Sequence, residues 1–185
     1  MILGCVLAGG QSTRFGSDKA LAELDGHTLL AAAVDALGAW CDYVVVAGRE
    51  TAPAPCIPDW PQPNMGPLAG IAAALHLARD QGYDAVLTVG VDSARLPADL
   101  PQVLGAAPAF LAAQPVIGIW PASASATLDA ILSAEGRHSL RQFIAAIGAR
   151  AVHSPREPAN INTPADLATL QSRVGEQPDG LSTAN

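Results

Sequence analysis

Short apolar segments alternate with helical segments along almost the whole chain, and this alternation restricts the fold more than any other feature. Residues 2–8 form a continuous apolar run that ends at Gly9-Gly10, the pattern of a strand buried on both faces. Residues 28–37 have the apolar spacing of a helix, and residues 43–47 form a second strand rich in β-branched side chains. Such alternation predicts an α/β fold, with a largely parallel sheet covered by helices on both faces.

The rest of the chain continues the pattern. Gly66-Pro67 opens a predicted helix that Gly82 ends, because proline is favoured at the first helical position and glycine just after the last. Residues 83–91 form the third long predicted strand, which ends at Asp92. Further predicted elements are helices at 97–104, 125–134 and 140–147, short strands at 110–113 and 116–120, and a last helix that begins at Thr163-Pro164 and turns Leu167, Leu170 and Val174 inward.

Length and composition predict one globular domain over residues 1–175, followed by a polar tail at 176–185 that we expect to be disordered. A net charge of −7 argues against binding to nucleic acid or to an anionic membrane surface. No apolar run is long enough to span a bilayer, and the apolar start lacks the basic region of a secretory signal. The three cysteines show no metal-ligand spacing, and Cys5 is expected in the core. We therefore expect a cytoplasmic protein.

The loop after the first strand carries the chemistry expected of a phosphate site. Ligands of such sheets bind at the carboxyl ends of the strands, so this loop and Asp92 should converge. Gly9-Gly10 allows the backbone to approach a phosphate, and Arg14 and Lys19 add two cations. The spacing matches neither the P-loop nor the dinucleotide fingerprint. On the residues alone, a surface turn that happens to carry Arg and Lys is the alternative.

The segment Leu7-Ala-Gly-Gly-Gln-Ser-Thr-Arg-Phe-Gly-Ser-Asp-Lys19 resembles the signature of the nucleotidyltransferases that include molybdenum cofactor guanylyltransferase. Four further segments agree in order and spacing, from about residue 2 to residue 170: Asp59-(x6)-Gly66-Pro-Leu-Ala-Gly70, Asp92-(x4)-Pro97, Pro115-Val-Ile-Gly-Ile-Trp-Pro121 and Asn160-Ile-Asn-Thr-Pro-Ala-Asp-Leu167. The resemblance implies a three-layer, Rossmann-like nucleotide-diphospho-sugar transferase fold with a mostly parallel sheet.

The same resemblance implies transfer of GMP from GTP to the phosphate of Mo-molybdopterin, with release of pyrophosphate and with Mg²⁺ as cofactor. The acceptor phosphate is already anionic near neutral pH, since its second pKa is about 6, so the reaction needs no general base. Catalysis then depends on alignment and on neutralisation of charge. We expect a monomer that makes transient contacts with other proteins of the molybdenum cofactor pathway.

Three residues are predicted to be catalytic. Asp92 offers a hard oxygen ligand for Mg²⁺ at a strand end, although in isolation it also fits a helix cap ahead of Pro97. Arg14 and Lys19 would screen the phosphates and stabilise the leaving pyrophosphate. The resemblance further implies a nucleotide-binding set in which Asp59 contacts the nucleoside and Gly70 lets a base or ribose pack against backbone: Leu7, Ala8, Gly9, Gly10, Lys19, Asp59, Gly70 and Asp92.

The sequence allows two interpretations of Asn160 and Asn162. They either complete the acceptor or metal side of the site, or they order the loop ahead of the Thr163 cap. Among the tryptophans, Trp40 and Trp120 are expected to pack in the core, and Trp60 lies beside a motif.

The chain departs from the family pattern at three places. Ser93-Ala94 stands where the family has proline two residues after the metal-binding Asp, so we expect a looser turn there. Ala47-Gly48-Arg49 lacks the asparagine that commonly lies near the base. The segment between Asp92 and Pro115 is short, and residues 107–114 are expected to run straight on without a hairpin. The alternatives are therefore a cytidylyltransferase, another nucleotidyltransferase with a different acceptor, or a nucleotide-binding homologue without turnover.

Overall fold

The computed structural model of the chain describes residues 1–9, 15, 18–63 and 65–172. The predictions for Gly10, Arg14, Val174 and the tail at 176–185 lie outside these residues. The described strands are, in chain order, β1 (Ile2–Leu7), β2 (Glu23–Leu24), β3 (His27–Thr28), β4 (Tyr43–Ala47), β5 (Cys56–Ile57), β6 (Ala85–Gly90), β7 (Ser93–Ala94), β8 (Ala109–Leu111), β9 (Gly118–Pro121), β10 (Arg150–Val152) and β11 (Ala159–Asn160).

The described helices are α1 (Leu29–Gly38), α2 (Pro67–Gln81), α3 (Leu100–Leu104), α4 (Ser125–Ser133), α5 (Leu140–Ala146) and α6 (Pro164–Ser172). Two short 3-10 helices accompany them, and the first (Lys19–Leu21) is called the Lys19 turn below. Among the described helices, none is both long and apolar enough to cross a membrane.

The central sheet has seven strands among the described residues, in the order β10-β8-β9-β6-β1-β4-β5. Neighbouring strands are parallel except where β9 pairs with β6 and β8. Leu7 at the end of β1 is level with Ala47 in β4 and with Gly90 in β6. The loops that follow these three strands therefore leave the sheet at the same edge, as the alternating pattern predicts.

Helices cover both faces of this sheet, which confirms the three-layer architecture. Leu3 and Cys5 of β1 pack into a buried cluster with α2, α4 and α5. Val6 points the other way, into a second cluster with α1 and α3. This change of face between neighbouring residues is the period-two geometry of a strand buried on both sides. Cys5 and Trp120 are fully buried, as predicted.

Most helix boundaries follow local rules that the sequence already showed. The Thr28 hydroxyl accepts the N–H of Ala31 and caps α1, and Gly82 ends α2 in the left-handed conformation. The helix predicted at 97–104 begins later, at Leu100, because Pro97 to Asp99 form a turn and Pro101 lies in the first helical turn. The two-residue strands β2, β3, β5, β7 and β11 were not predicted, since two residues show no periodicity.

Candidate active site

A cleft of about 1020 Å³ opens at the carboxyl ends of β1, β4 and β5, beside the start of α2. Its lining includes four residues, Gly9, Gly48, Asp59 and Gly66, which we call the glycine side of the site. Gly9 and Gly48 follow β1 and β4, Asp59 follows β5, and Gly66 precedes α2. Two of the sequence motifs, the first loop and the Asp59 to Gly70 segment, therefore meet here as predicted.

Backbone meets backbone in this cleft. A Cβ placed on Gly9 would lie 3.2 Å from the Cα of Gly48 and 3.6 Å from Oδ2 of Asp59. Gly48 has a φ of +82°, and a Cβ there would overlap backbone atoms of Gly9. Glycine alone satisfies both conditions. Sequence analysis missed this role of Gly48, although a glycine directly after a predicted parallel strand was an available signal.

Leu7 and Ala8 hold the first loop to the sheet on both sides. The carbonyl oxygen of Leu7 accepts the N–H of Val91 at 3.1 Å, and the N–H of Ala8 donates to the carbonyl of Ala47 at 3.0 Å. Gly9 is the first residue beyond these bonds, and its backbone lies between the loops that follow β4 and β6. The predicted contacts of Leu7 and Ala8 with a nucleotide stay predictions.

Gly70 has a packing reason to be glycine. It is buried in the first turns of α2, and a Cβ there would lie 2.8 Å from Cδ2 of Leu7 and 3.0 Å from Cβ of Ala47. The side chains of Leu7 and Ala47 therefore explain why this position is glycine, and its predicted contact with a base or ribose stays a prediction. The neighbouring Oδ1 of Asp59, 3.7 Å from the same Cβ position, still links Gly70 to the cleft.

Asp59 is half-buried, and this burial raises the pKa of its carboxyl group. The next residue, Trp60, anchors the segment. Its N–H donates to the carbonyl of Ala69 at 3.1 Å, and its indole Nε1 donates to Oδ1 of Asp129 at 3.3 Å. The indole ring also lies 5.0 Å from the ring of His76. Trp60 therefore ties the Asp59 segment to α2 and α4 from outside the cleft, and its position beside the motif has a structural reason.

On the other side of Gly9, Lys19 meets Asp92. The ammonium Nζ of Lys19 lies 3.1 Å from Oδ2 of Asp92, with side chains that are 15% and 31% exposed. Asp92 follows β6 by two residues, and a Cβ on Gly90 would lie 2.5 Å from its Oδ1. The carboxylate therefore folds back over Gly90, a requirement that sequence analysis did not identify. The predicted convergence of the first loop with Asp92 is thus present in the fold.

The short pair β7–β11 brings the asparagine motif to the same place. Asn160 pairs with Ser93 in antiparallel register, and the N–H of Ile161 donates to the carbonyl of Asp92 at 2.9 Å. Asn160 and Asn162 are both exposed beside Asp92. With Lys19, Asp92 and Asp166 they form what we call the charged side of the site.

Asp166 orders the asparagine loop. Its Oδ2 accepts the backbone N–H of Asn162 at 2.9 Å and that of Thr163 at 2.8 Å. The N–H of Asn162 is the largest cause that lowers the pKa of Asp166, and the nearby charge of Lys19 acts in the same direction. The loop is therefore held through the backbone of Asn162, and the role of the two asparagine side chains stays a prediction.

Two expectations about this region are wrong. The turn after Asp92 is not loose, because Ala94 is buried in β7 and the buried Ser93 hydroxyl donates to Oε1 of Gln114 at 2.8 Å. Residues 107–114 do not run straight on, because β8 and β9 pair through a tight turn in which the N–H of Ile117 donates to the carbonyl of Gln114. Nε2 of Gln114 donates to the carbonyl of Pro158 at 2.6 Å, so the short segment braces β7 against the chain before β11.

The similarity to known proteins extends over most of the chain. Residues 4–160 match the family described as the MobA-like NTP transferase domain. The molybdenum cofactor guanylyltransferase of Rhizobium johnstonii is 36% identical over 191 residues, with 92% of this chain and 91% of that protein covered. The protein of the same name from Rhodobacter capsulatus is 34% identical, with 94% and 96% covered.

The fold is also that of a solved relative. The crystal structure of molybdopterin-guanine dinucleotide biosynthesis protein A from Archaeoglobus fulgidus matches 95% of this chain and 100% of that one with a TM-score of 0.73 at 20% sequence identity. The resemblance drawn from the motifs is confirmed along with the fold class. The chain belongs to the MobA-like NTP transferase family.

Proposed function

We propose that the protein transfers GMP from GTP to the phosphate of Mo-molybdopterin, forming molybdopterin guanine dinucleotide cofactor and pyrophosphate. The observation that carries this proposal is the Lys19–Asp92 pair at the strand ends, directly beside the glycine side of the cleft. Relatives named molybdenum cofactor guanylyltransferase at 34–36% identity over nearly the full chain support the identity of donor and acceptor.

The reaction is a displacement at phosphorus. An oxygen of the acceptor phosphate attacks the α-phosphorus of GTP, a new P–O bond forms, and the bond between the α-phosphorus and its bridging oxygen breaks. The departing pyrophosphate takes the bonding electron pair, so negative charge grows on it. A cation that is already in place stabilises this charge without rearrangement of solvent. Lys19, largely removed from water beside Asp92, meets that description.

The donor set fits Mg²⁺. Within the described part of the chain, no group of three or more His, Cys, Asp or Glu side chains is placed to hold a metal. Mg²⁺ in nucleotide sites is usually held by one or two carboxylates together with substrate phosphates, so a single Asp at the phosphate position suits it. Asp92 would hold the ion with the triphosphate, and the ion would neutralise phosphate charge. Lys19 holds one oxygen of this carboxylate, with its Nζ 3.1 Å from Oδ2.

Asp59 accounts for the preference for guanine. Its carboxylate is partly withdrawn from water, a state that costs free energy unless donors satisfy it. Guanine presents two adjacent donors, the ring N–H and the exocyclic amine, to which a carboxylate can bind with both oxygens. Cytosine presents an amine beside a ring acceptor, which an ionised carboxylate repels. Gly9 and Gly48 let the loops after β1 and β4 meet backbone to backbone next to Asp59.

A matrix of turnover assays tests this proposal. Pyrophosphate release and the dinucleotide product are measured with GTP, CTP, ATP or UTP, with Mo-molybdopterin present or absent, and with Mg²⁺ or a chelator. We expect product with GTP, acceptor and Mg²⁺ together. Turnover with CTP in place of GTP contradicts the assignment of Asp59. Tight binding of Mg²⁺–GTP without pyrophosphate release identifies a homologue without turnover, and full activity in chelator excludes the metal.

A further inference from the structure

An ion pair joins the loop after β4 to the turn that carries Lys19. Nη1 of Arg49 donates to Oδ1 of Asp18 at 3.0 Å, and Nη2 donates to Oδ2 at 2.7 Å. Both donors and both acceptors are used, the two-pronged geometry in which arginine binds carboxylates most specifically. The Arg49 side chain is 18% exposed, and it lies in the lining of the cleft next to Gly48.

The pair continues into the charged side through the Lys19 turn. Oδ1 of Asp18 also accepts the N–H of Ala20 at 3.1 Å, so Asp18 caps the turn whose first residue is Lys19. Nζ of Lys19 then meets Asp92. Arg49 follows β4 and Asp92 follows β6, and these two strands flank β1 in the sheet. The four residues form a chain of contacts that passes over the end of β1, where Gly9 leaves the sheet.

Whatever this ion pair adds to stability, its consequence for the site is positional. Exposed ion pairs contribute little to the free energy of unfolding, and Asp18 is 43% exposed. Arg49 is the largest cause that lowers the pKa of the Asp18 carboxyl, so the pair is fully charged near neutral pH. What the pair restricts is the lateral position of the Lys19 turn. The buried Ala20 and the bond from the N–H of Leu29 to the carbonyl of Ala22 hold the turn to α1, and the ion pair adds a tie to the loop after β4.

We propose that Arg49 is a positioning residue that acts through Asp18, holding the Lys19 turn against the loop after β4 so that the Lys19 ammonium stays at Asp92 and at the triphosphate. The kinetic consequence of this inference rests on the proposed function. Its structural consequence, the position of the Lys19 turn, can be measured in the free protein. It also gives Arg49 a role within the segment Ala47-Gly48-Arg49, where the chain lacks the asparagine of the family pattern.

The first test uses the free protein and no nucleotide. Amide hydrogen exchange is followed at Ala20, Leu21 and Ala22, whose N–H groups donate to Asp18 or to the carbonyl of Lys19. We expect about tenfold faster exchange at these three amides in Arg49→Ala, because the turn loses its lateral tie. Arg156→Ala is the control, since Arg156 also pairs with a carboxylate outside the site, where its Nη2 donates to both oxygens of Asp99. Unchanged exchange in Arg49→Ala overturns the proposal, whatever the protein's activity.

The second test separates positioning from direct contact with a ligand. Asp18→Asn keeps the cap oxygen but removes the charge that holds Arg49. If Arg49 acts through Asp18, Arg49→Ala and Asp18→Asn each lower kcat by about tenfold, as expected for a misplaced catalytic group. If Arg49 instead binds phosphate itself, Asp18→Asn releases the Arg49 side chain, and the KM for GTP falls or stays unchanged in that variant. Arg49→Ala then raises the KM for GTP. That second pattern overturns the proposal.

A third comparison identifies the residue through which Arg49 acts. In a Lys19→Ala background, Arg49→Ala should change kcat by less than about twofold, since residues of one functional unit are not additive. An undiminished, roughly tenfold further loss shows that Arg49 acts independently of Lys19 and overturns the proposal. If the wild-type protein shows no turnover at all, the proposed function fails, and the exchange experiment still decides the role of Arg49.

Discussion

The two sides of the site are built in opposite ways. The glycine side is made of backbone that comes close to backbone, as Gly9 and Gly48 show, with one half-buried carboxylate on Asp59. The charged side is made of side chains, Lys19 and Asp92, whose positions depend on a capped turn and on the pairing of β7 with β11. Only the end of β1 belongs to both.

Because the two sides are built differently, we expect them to lose activity in response to different kinds of substitution. At Gly9 and Gly48 the glycine side has no room for an added atom, so its largest losses should follow added volume, with a smaller loss when the charge of Asp59 is removed. The charged side has exposed asparagines and a half-buried ion pair, so it should tolerate changes of volume at the asparagines and fail when a charge of the ion pair is removed. Substitutions of matched size on the two sides therefore test this difference.

The largest effect is expected at Asp92. Asp92→Asn keeps the size of the side chain and removes the charge that faces Lys19 and the phosphates. We expect kcat to fall by about 100- to 1,000-fold, as for the loss of one preorganised electrostatic group. Pyrophosphate release measures this, and Asp99→Asn, a carboxylate paired with Arg156 elsewhere, is the control. Wild-type activity in Asp92→Asn would remove Asp92 from the site.

The next effect concerns volume on the glycine side. Gly48→Ala places a methyl group into the backbone of Gly9, so we expect a rise of about 10- to 100-fold in the KM for GTP and a lower Tm. Gly82→Ala is the matched control, because Gly82 has a similar φ of +79° with no atom within 4 Å of its Cβ position. That variant should lose about 1 kcal/mol of stability and keep its KM. Equal effects in both variants mean that backbone strain alone explains Gly48.

Asp59→Asn tests the one charge on the glycine side. We expect the KM for GTP to rise about tenfold, through loss of a charged acceptor, while kcat changes little. Burial raises the pKa of Asp59, so its ionised form destabilises the folded state above that raised pKa, and the penalty disappears as the pH falls below the unfolded pKa. The variant should therefore have a higher Tm than wild type at pH 7, a difference that shrinks toward acidic pH. A lower Tm of Asp59→Asn at pH 7 contradicts the interpretation that the ionised Asp59 carboxylate destabilises the folded state.

The smallest effect is expected from the exposed asparagines. Asn162→Ala should raise the KM for Mo-molybdopterin by about three- to tenfold, the loss of one hydrogen bond, and leave the KM for GTP unchanged. Its Tm should not change, because Asp166 holds the loop through the backbone of Asn162. Asp166→Ala is the comparison, and it should lower the Tm because the loop loses the carboxylate that accepts two of its backbone N–H groups. A lower Tm in Asn162→Ala, with both KM values unchanged, supports the loop-ordering reading instead.

Much of the architecture could be predicted because its signals are local. The long strands, the caps at Thr28 and Gly82, and the buried faces of the helices follow from periodicity and from single residues with one strong preference. The meeting of Lys19 with Asp92 could also be predicted, since parallel strands place their carboxyl ends at one edge. The tight brace made by Gln114 could not, because a polar residue in a short loop carries no local mark of burial.

Local sequence patterns specify the order of strands and helices along the chain, the faces that enter the core and the chemical groups available at the strand ends. Which of these groups come into contact depends on the tertiary structure. The contact of Gly9 with Gly48, the fork from Arg49 to Asp18 and the pairing of Asn160 with Ser93 each join residues far apart in the chain. Their geometry depends on the level at which neighbouring strands end and on the twist between them. No single segment encodes either property, because both arise when the sheet assembles.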